Sequence, residues 1–432
     1  MSQPLRILTV VRDLGAGGTQ RAAQNYALGY SRAGHGSAVL ALLGGGPRVA
    51  ALAEVGLDVF VGGAGPAHDR AVAQAAAWAP TLVHVHRVGG PDPSTAPALL
   101  GLAEALPGAR FVETNVFSRA DPTATGRLFD VHLQLTRWCL WKWRRWSRGI
   151  HPRPLGAVLP YVADPDAFYP DPAAARAFRQ AHGVPSDAVL FGRIGQPLEP
   201  KWMPALVEAF GEVARDRPAA WLLLVGAPPS VQARVRRLAP TVRARVRTLD
   251  FLHGDPALRA AYSALDVFVL AAHKGESFGM VLAESLLCRT PAVVLSRPAR
   301  DNSQVEVVGH ERGGLVAADA RGMAEAMALL ADDPERRTRL GCGGAARIRD
   351  RYAFDAVMPV LLRIVSLVVA SPTRDDLRRA LDAEPGVVTD VADAEIAARL
   401  ARSIGTAPWH SRLATWAVHQ PALVRLWRRV RA

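Results

Sequence analysis

Residues 266–285, DVFVLAAHKGESFGMVLAES, decide how this chain is expected to fold. The stretch opens with an apolar run that favours a buried strand. It closes with SFGMVLAES, whose spacing predicts a helix that begins near Phe278. A buried strand that leads through a short turn into a helix is the repeating unit of parallel sheets covered by helices.

The same alternation runs through both halves of the chain, which at 432 residues is too long for one ordinary core. Strands are predicted at 5–11, 37–43, 57–61, 81–86, 109–114 and 131–136, and then at 188–195, 219–226, 246–252, 265–272, 291–296 and 314–317. The segment 159–174 between the two sets has four prolines and is typical of a linker.

We therefore expect an α/β fold of two Rossmann-like domains facing a cleft, followed by a helical tail. The first domain is expected at 1–165 and the second at 166–351. A helix at 352–370 should return to the first domain, and 371–432 forms a helical tail of unknown role. Because ligands of open parallel sheets bind beyond the carboxyl ends of the strands, the site is sought there.

Composition limits the class of protein. Half of the residues are hydrophobic, and the longest apolar candidate for a membrane span, 357–370, is short and contains Arg363. Three scattered cysteines fit neither a disulfide framework nor a metal knuckle, so a reducing cytoplasm is expected. The net charge of +13 is carried almost entirely by arginine, which indicates either a compositional bias typical of bacteria with GC-rich genomes or a polyanionic partner.

Two glutamates bracket the apolar run of the opening stretch. Glu276 is expected on the loop at the end of the strand, and Glu284 about two turns into the helix. Gly279, in the first turn, lets a ligand approach backbone amides that can hold phosphate. One interpretation is an ordinary helix with polar ends; the other is that both carboxylates bind one ligand through its hydroxyl groups.

A second candidate cluster opens the second half, in FGRIGQPLEPKW (191–202). Arg193 lies near the end of a predicted strand, and Lys201 precedes the next helix. Two cations beside a helix N-terminus suit a diphosphate, although a solvated surface loop would show the same pattern. The phosphate-binding motif of P-loop proteins is absent from the sequence.

The first half offers a glycine-rich turn and a histidine pair. Gly17 and Gly18 allow close approach to the start of the first helix, but their spacing is not that of a dinucleotide site, and a plain turn remains an alternative. His84 and His86 share one face of a strand. Since no third ligand is evident, no metal site is expected, and His86 is a candidate for hydrogen bonding or proton transfer.

With these features, residues 1–370 resemble the retaining, GT-B-fold nucleotide-sugar glycosyltransferases of family four. The resemblance implies that Glu276 binds the donor sugar, that Glu284 binds the ribose, and that Arg193 and Lys201 neutralise the diphosphate. It adds to the donor site the residues Ser277, Phe278, Gly279 and Met280. The first half would bind the acceptor, with candidate contacts at Gly17, Gly18, His86 and Asn115, and His86 would lie near the donor sugar.

The resemblance also implies a reaction that retains the anomeric configuration and uses no metal or other cofactor. The chain departs from the family at RPARDNSQVEVV (297–308), where Asn302, Gln304 and Glu306 would replace the usual glycine pair. Two other functions stay open: epimerisation of a nucleotide sugar by the same fold, and polyanion binding without catalysis.

Two basic, aromatic stretches, 137–148 and 405–432, could touch an anionic membrane or pack on the protein. The expected partners are therefore a nucleotide sugar, an acceptor that is a small molecule, a glycan or a lipid-linked sugar, and no nucleic acid. The expected location is the cytoplasm, with peripheral contact at the inner face of the membrane as an alternative.

Overall fold

The computed structural model describes residues 4–404 and 409–431, so residues 405–408 and 432 of the tail lie outside the described part. The side chains of 402–412 and 428–432 are likewise outside it. The chain divides into two compact units. The first comprises Met1–Val162 and Phe354–Asp393, and the second comprises Ala163–Ala353 and Ala394–Ala432.

Strands and helices alternate along the chain. Up to residue 162 they are β1 (Arg6–Val11), α1 (Gly18–Arg32), β2 (Gly36–Ala41), α2 (Arg48–Glu54), β3 (Asp58–Val61), α3 (Pro66–Ala77), β4 (Leu82–Arg87), α4 (Ala96–Ala105), β5 (Arg110–Asn115), α5 (Ala124–Arg127), β6 (Val131–Gln134), α6 (Arg137–Trp146) and β7 (Gly156–Val158). From 163 to 353 they are α7 (Pro172–Ala181), β8 (Val189–Ile194), a 3₁₀ turn (Glu199–Lys201), α8 (Ala205–Asp216), β9 (Ala220–Val225), α9 (Pro229–Arg236), α10 (Pro240–Arg243), β10 (Val246–Leu249), α11 (Asp255–Ala264), β11 (Val267–Leu270), β12 (Gly275–Glu276), α12 (Met280–Leu287), β13 (Ala292–Leu295), β14 (Asp301–Asn302), α13 (Ser303–Val308), β15 (Gly314–Ala317), α14 (Ala320–Asp332) and α15 (Pro334–Tyr352). The remainder is helical: α16 (Phe354–Ala370), α17 (Arg374–Ala383), α18 (Asp393–Ile404), α19 (Trp409–Val418) and α20 (Pro421–Arg431).

The first unit is built on a parallel sheet with the strand order β3-β2-β1-β4-β5-β6-β7. Its strands are apolar on both faces: Leu8 and Val10 pack into one buried cluster and Val11 into another. Residues of this kind favour strands that helices cover on both sides. The strand order reverses between β1 and β4, which pair directly, and such a reversal leaves a crevice at the carboxyl ends of the two strands.

The second unit repeats the arrangement with the order β10-β9-β8-β11-β13-β15. Here the reversal lies between β8 and β11, which pair through Val267 and Phe191. A two-stranded parallel sheet of β12 and β14 lies beside the main sheet. The predicted α/β class with two Rossmann-like halves is thus confirmed, and the C-terminal region is helical as predicted.

The C-terminal segments do not form one tail. Helix α16 buries six apolar residues in the first unit: Val357, Met358, Leu361, Ile364, Val365 and Val368. By length and composition alone, the helical stretch Pro334–Ala370 is apolar enough to cross a membrane. Residues up to 393 belong to the first unit, whereas α18, α19 and α20 belong to the second.

The basic, aromatic stretch 137–148 is packed on the protein. Helix α6 buries Trp138 and Trp143, which are 4% and 1% exposed. On its outer side, Trp141 and Arg145 both bond the carboxylate of Asp393, at 2.6 and 2.7 Å. The tryptophan face and the basic side chains are thus engaged within the first unit, and the packing interpretation of this stretch is the one the structure shows.

Candidate active site

The turn between β11 and α12 carries the first candidate residues. Gly279 adopts φ 93° and ψ 69°, a left-handed conformation that strains any residue with a side chain. The helix therefore begins at Met280 and not near Phe278, and Gly279 is its N-cap residue. Glu284 is consequently the fifth helical residue, just over one turn from the start and not two.

Glu276 lies in a cluster of charges at the end of β11. It is 6% exposed. Its carboxylate lies 3.3 Å from Nζ of Lys201 and 3.9 Å from Nη2 of Arg193. Three residues singled out in distant parts of the sequence therefore meet at the carboxyl ends of β8 and β11, where the strand order reverses.

The guanidinium of Arg193 is held rigidly. It donates to the carbonyl oxygens of Ile194 (2.6 Å) and Lys201 (3.2 Å), and it lies over the ring of Trp202 at 5.2 Å. Burial lowers the pKa of Arg193, and the charge of Glu276 opposes that change. Because a guanidinium stays protonated in proteins, the group is a fixed, buried positive charge.

Glu284 is buried one helical turn further along, at 4% exposure. The phenol of Tyr262 donates to its Oε2 at 3.0 Å. Burial raises the pKa of Tyr262 well above its ordinary value, and Glu284 adds to the effect, so the phenol stays a donor. Nothing in the sequence pointed to Tyr262, because there it is one of several apolar residues of a helix.

The residues between the two glutamates serve mainly as packing. Phe278 is 1% exposed and meets the ring of Tyr352 edge to face at 5.3 Å, and Met280 is 7% exposed. What Phe278 and Met280 can offer a ligand is therefore backbone N–H, at the positive end of α12. A donor role for Ser277, Phe278, Gly279 and Met280 stays a prediction.

The segment 297–308 braces the Glu276 loop. The side chain of Gln304 accepts from the backbone N–H of Glu276 (3.1 Å) and donates to the carbonyl of Leu295 (2.9 Å). Asn302 accepts from the N–H of Arg297 at 2.7 Å. Glu306 instead lies 3.7 Å from Arg399 of α18. Gln304 and Asn302 thus position the loop through its backbone.

In the first unit, His86 is the penultimate residue of β4, and its ring is almost fully buried. It lies 4.5 Å from the ring of His84 and 5.3 Å from that of Tyr26. Burial lowers the pKa of His86 well below its ordinary value, and His84 adds to this, so the imidazole is neutral. Within the described residues, neither ring nitrogen of His86 has a hydrogen-bond partner.

His86 lines a cavity of about 110 Å³ together with Arg12, Thr19 and Gln20. The glycine-rich turn lies at its edge. A Cβ on Gly17 would fall 2.2 Å from Oε1 of Gln20, so this position admits no side chain without displacing that amide. Gly18 is the first residue of α1.

Asn115 is committed to its own loop. Its Nδ2 donates to the carbonyl of Arg119 (2.8 Å), and its Oδ1 accepts from the N–H of the same residue (3.1 Å). The nitrogen and the oxygen of its amide therefore both stabilise the turn after β5. Contact between Asn115 and an acceptor stays a prediction.

A buried ionic cluster, which reaches the cavity of His86 through Arg87, was missed from the sequence. Arg87 lies 2.9 Å from Glu113 and also pairs with Asp121, while His132 bonds the other oxygen of Glu113. Burial raises the pKa of Asp121, but bonds from Arg87 and Thr123 outweigh it and hold that pKa below its ordinary value. In the part of the chain that the structure describes, no group of three or more histidines, cysteines or carboxylates is placed to hold a metal.

The chain resembles known proteins in sequence and in fold. Residues 185–333 match the family model "Glycosyl transferases group 1". The chain is 36% identical over 210 residues to the D-inositol 3-phosphate glycosyltransferase of Kineococcus radiotolerans, which covers 44% of this chain and 47% of that protein. It is 25% identical over 256 residues to a GDP-mannose-dependent monoacylated α-(1-6)-phosphatidylinositol monomannoside mannosyltransferase of Corynebacterium glutamicum. This match covers 57% of this chain and 65% of that protein.

The matches thus span about half to two thirds of the length of these relatives. Among solved structures, HepE of Anabaena, in a complex with UDP and glucose, superposes with a TM-score of 0.65 over 84% of this chain and 99% of that one, at 17% identity. An identity that low speaks for the fold alone, which is of the GT-B type. Residues 185–333 are thus similar to the group 1 glycosyltransferases.

Proposed function

We propose that this protein transfers a sugar from a nucleotide-diphosphate sugar to an acceptor hydroxyl, with retention of the anomeric configuration. The observation that carries the proposal is the meeting of Glu276, Arg193 and Lys201 in the second unit. A fixed guanidinium, an ammonium and the N-terminus of α12 together suit the charge of a diphosphate.

In the proposed reaction, the bond between the anomeric carbon and the diphosphate oxygen breaks, and the electron pair leaves with the nucleoside diphosphate. Arg193 and Lys201 stabilise the charge that develops on that oxygen, so that no metal or other cofactor is required. The acceptor oxygen forms the new bond on the same face of the sugar, and its proton passes to the departing phosphate.

The two carboxylates are proposed to hold the donor at different points. Glu276 binds hydroxyls of the sugar, and Glu284 binds the ribose while Tyr262 fixes one of its oxygens. A carboxylate accepts from both hydroxyls of a vicinal diol, which makes it suited to either role.

The acceptor is proposed to bind in the first unit, in the cavity lined by His86, Arg12 and Gln20. The neutral ring of His86 can donate or accept a hydrogen bond without adding charge. Since both relatives described above are named for acceptors with inositol phosphate or phosphatidylinositol groups, we propose a polyol acceptor that is phosphorylated or lipid-linked.

We further propose that the reaction takes place in the cytoplasm. All three cysteines are free, Cys139 and Cys288 buried and Cys342 exposed, which suits a reducing compartment. Peripheral attachment to the inner face of the membrane would bring the enzyme to a lipid-linked acceptor.

The decisive experiment screens UDP- and GDP-sugars by thermal shift and then follows the product by mass spectrometry. A ligand at a hundred times its Kd stabilises the folded state by about 2.7 kcal/mol, which is readily detected. We expect one nucleotide sugar to stabilise the protein and to yield a glycosylated acceptor.

Two other outcomes would overturn the proposal. Conversion of the donor into its sugar epimer, with nucleoside diphosphate released in the absence of acceptor, would identify an epimerase. Indifference to every nucleotide sugar, together with polyanion affinity that falls steeply with salt, would identify a binding protein.

A further inference from the structure

The last two helices turn apolar side chains toward solvent. In α19, Leu413 and Trp416 are 54% and 55% exposed, and in α20, Leu423 and Leu426 are 41% and 60% exposed. The spacings 413–416 and 423–426 place each pair on one side of its helix. Trp427, 56% exposed, belongs to the same stripe of α20.

The charge of this segment is one-sided. Residues 409–432 contain five arginines and no aspartate or glutamate. Arg425, in α20, is exposed. Elsewhere on the surface arginines pair with carboxylates, as Arg217 does with Asp332 at 2.6 Å and Arg321 with Glu325 at 3.0 Å. The two helices thus combine an apolar stripe with positive charge that the segment itself does not neutralise.

The loop between the two helices is anchored to the second unit. His419, between α19 and α20, is 4% exposed, and its Nε2–H donates to the carbonyl oxygen of Pro298 at 2.7 Å. Helix α18, which precedes the pair, buries Ile396 at 3% exposure. Because the loop is held in this way, the apolar stripe stays directed outward.

We propose that the outward face of α19 and α20 binds the surface of an anionic lipid bilayer. An amphipathic helix with arginines on its polar side and leucine and tryptophan on the other lies in the plane of the interface, its stripe among the acyl chains and its cations among the headgroups. A second copy of this chain would fit poorly, because its arginines would face the arginines of the first copy and no carboxylate of either segment would neutralise them. This contact goes beyond sugar transfer and does not depend on the proposed chemistry.

The test is co-sedimentation of the full chain with vesicles of phosphatidylcholine alone and with vesicles rich in phosphatidylglycerol, at physiological salt. We expect sedimentation with the second only. The double variant L413S/L426S should reduce partitioning more than tenfold, because two apolar side chains leave the interface. R425Q should reduce it about fivefold, since one basic residue near an anionic surface contributes about that factor.

Matched controls replace equally exposed residues elsewhere. V55S/L100S changes two apolar side chains of the first unit that are 55% and 38% exposed, and R321Q removes an exposed arginine. Both should sediment like the unchanged protein. Equal sedimentation of L413S/L426S and the unchanged chain would overturn the proposal. So would an oligomer that forms without vesicles and is lost in L413S/L426S, since the face would then bind a second copy.

Discussion

At the scale of single residues, the two glutamates of the proposed donor site are expected to have different roles. Glu276→Gln should lower kcat, because the proposed contacts of Glu276 surround the reacting sugar and become stronger in the transition state. Glu284→Gln should mainly raise the Kd for the donor. Steady-state kinetics and donor titration separate the two, and Tyr262→Phe is the matched control that removes only the fixed bond to Glu284. If both variants lost the same activity and both melted at a lower temperature, the losses would be structural and the two glutamates would not have separate roles.

Lys201 gives a cleaner measure of diphosphate stabilisation than Arg193 does, because its side chain is 41% exposed and its removal disturbs the packing less. Lys201→Met should cost about 2–4 kcal/mol of transition-state stabilisation, measured as the fall in kcat/KM. Treatment with EDTA should leave the rate unchanged. A rate that EDTA abolishes and manganese restores would rule out the proposed metal-free reaction.

The buried histidines make stability depend on pH. Burial lowers the pKa of His84 to about 3, whereas in the unfolded chain it titrates near 6.5. Between these values the unfolded state binds a proton that the folded state does not. For His84 alone, the free energy of unfolding should therefore be constant above about pH 6.5 and fall by up to about 1.4 kcal/mol per pH unit below it. His86, whose pKa burial also lowers, adds a fall of the same sign.

Urea denaturation between pH 4.5 and 8 measures this slope, with values chosen to bracket the unfolded pKa of roughly 6.5. His84→Gln should reduce the slope without abolishing it, because His86 is buried beside it and its pKa is lowered too. An unchanged slope in His84→Gln would show that other groups account for the acid sensitivity.

At the scale of elements, the loop that carries Glu276 should depend on Gln304. Replacing Gln304 by Met would leave the buried N–H of Glu276 without its acceptor, at a cost of about 1–3 kcal/mol. We expect a lower kcat with little change in donor Kd. Gln180→Met, at an exposed position of α7, serves as the control. Full activity in Gln304→Met would mean that the loop is held by its strand pairing with β14 alone.

The elements show which parts of the structure a sequence can predict. All the predicted strands are present in the structure. Most are apolar on both faces, as AWLLLV of β9 is, and this pattern does not depend on the rest of the fold. The strand β7 was missed because Gly156–Val158 is too short to show a period, and its pairing with β6 decides its conformation. The pair β12 and β14 was missed for the same reason.

The site residues also differ in whether the sequence alone could reveal them. Arg193, Lys201 and Glu276 could be singled out because a charge at the end of an apolar run is visible in sequence. Tyr262 could not, because its role arises only when α11 packs beside α12 and places the phenol 3.0 Å from Glu284. The start of α12 was placed two residues early, since the left-handed backbone of Gly279 is a property of the turn.

At the scale of the whole molecule, the order of segments predicts how truncations behave. A chain that stops after residue 353 lacks α16, whose buried side chains each contribute about 1.5–3 kcal/mol. Their sum is comparable to the whole stability of a typical domain, so this fragment should aggregate. A chain that stops after 393 keeps α16 and should stay soluble.

Size-exclusion chromatography and thermal melting compare the two fragments with the full chain. The 1–393 fragment should still melt at a lower temperature, because it loses the bond from His419 to Pro298 and the buried Ile396. A soluble, cooperatively melting 1–353 fragment would show that the first unit does not need α16.

The order of segments also bears on how such genes could recombine. Residues 163–353 are inserted, as one uninterrupted block, between two parts of the first unit. Two crossovers would therefore suffice to exchange residues 163–353, which form most of the second unit, while the first unit is inherited intact. The block is not self-sufficient, however, because Pro298 and Glu306 receive partners from His419 and Arg399, which are encoded beyond it. Hybrid genes made for a new donor sugar should accordingly carry three crossovers and take the last helices from the same parent as the block.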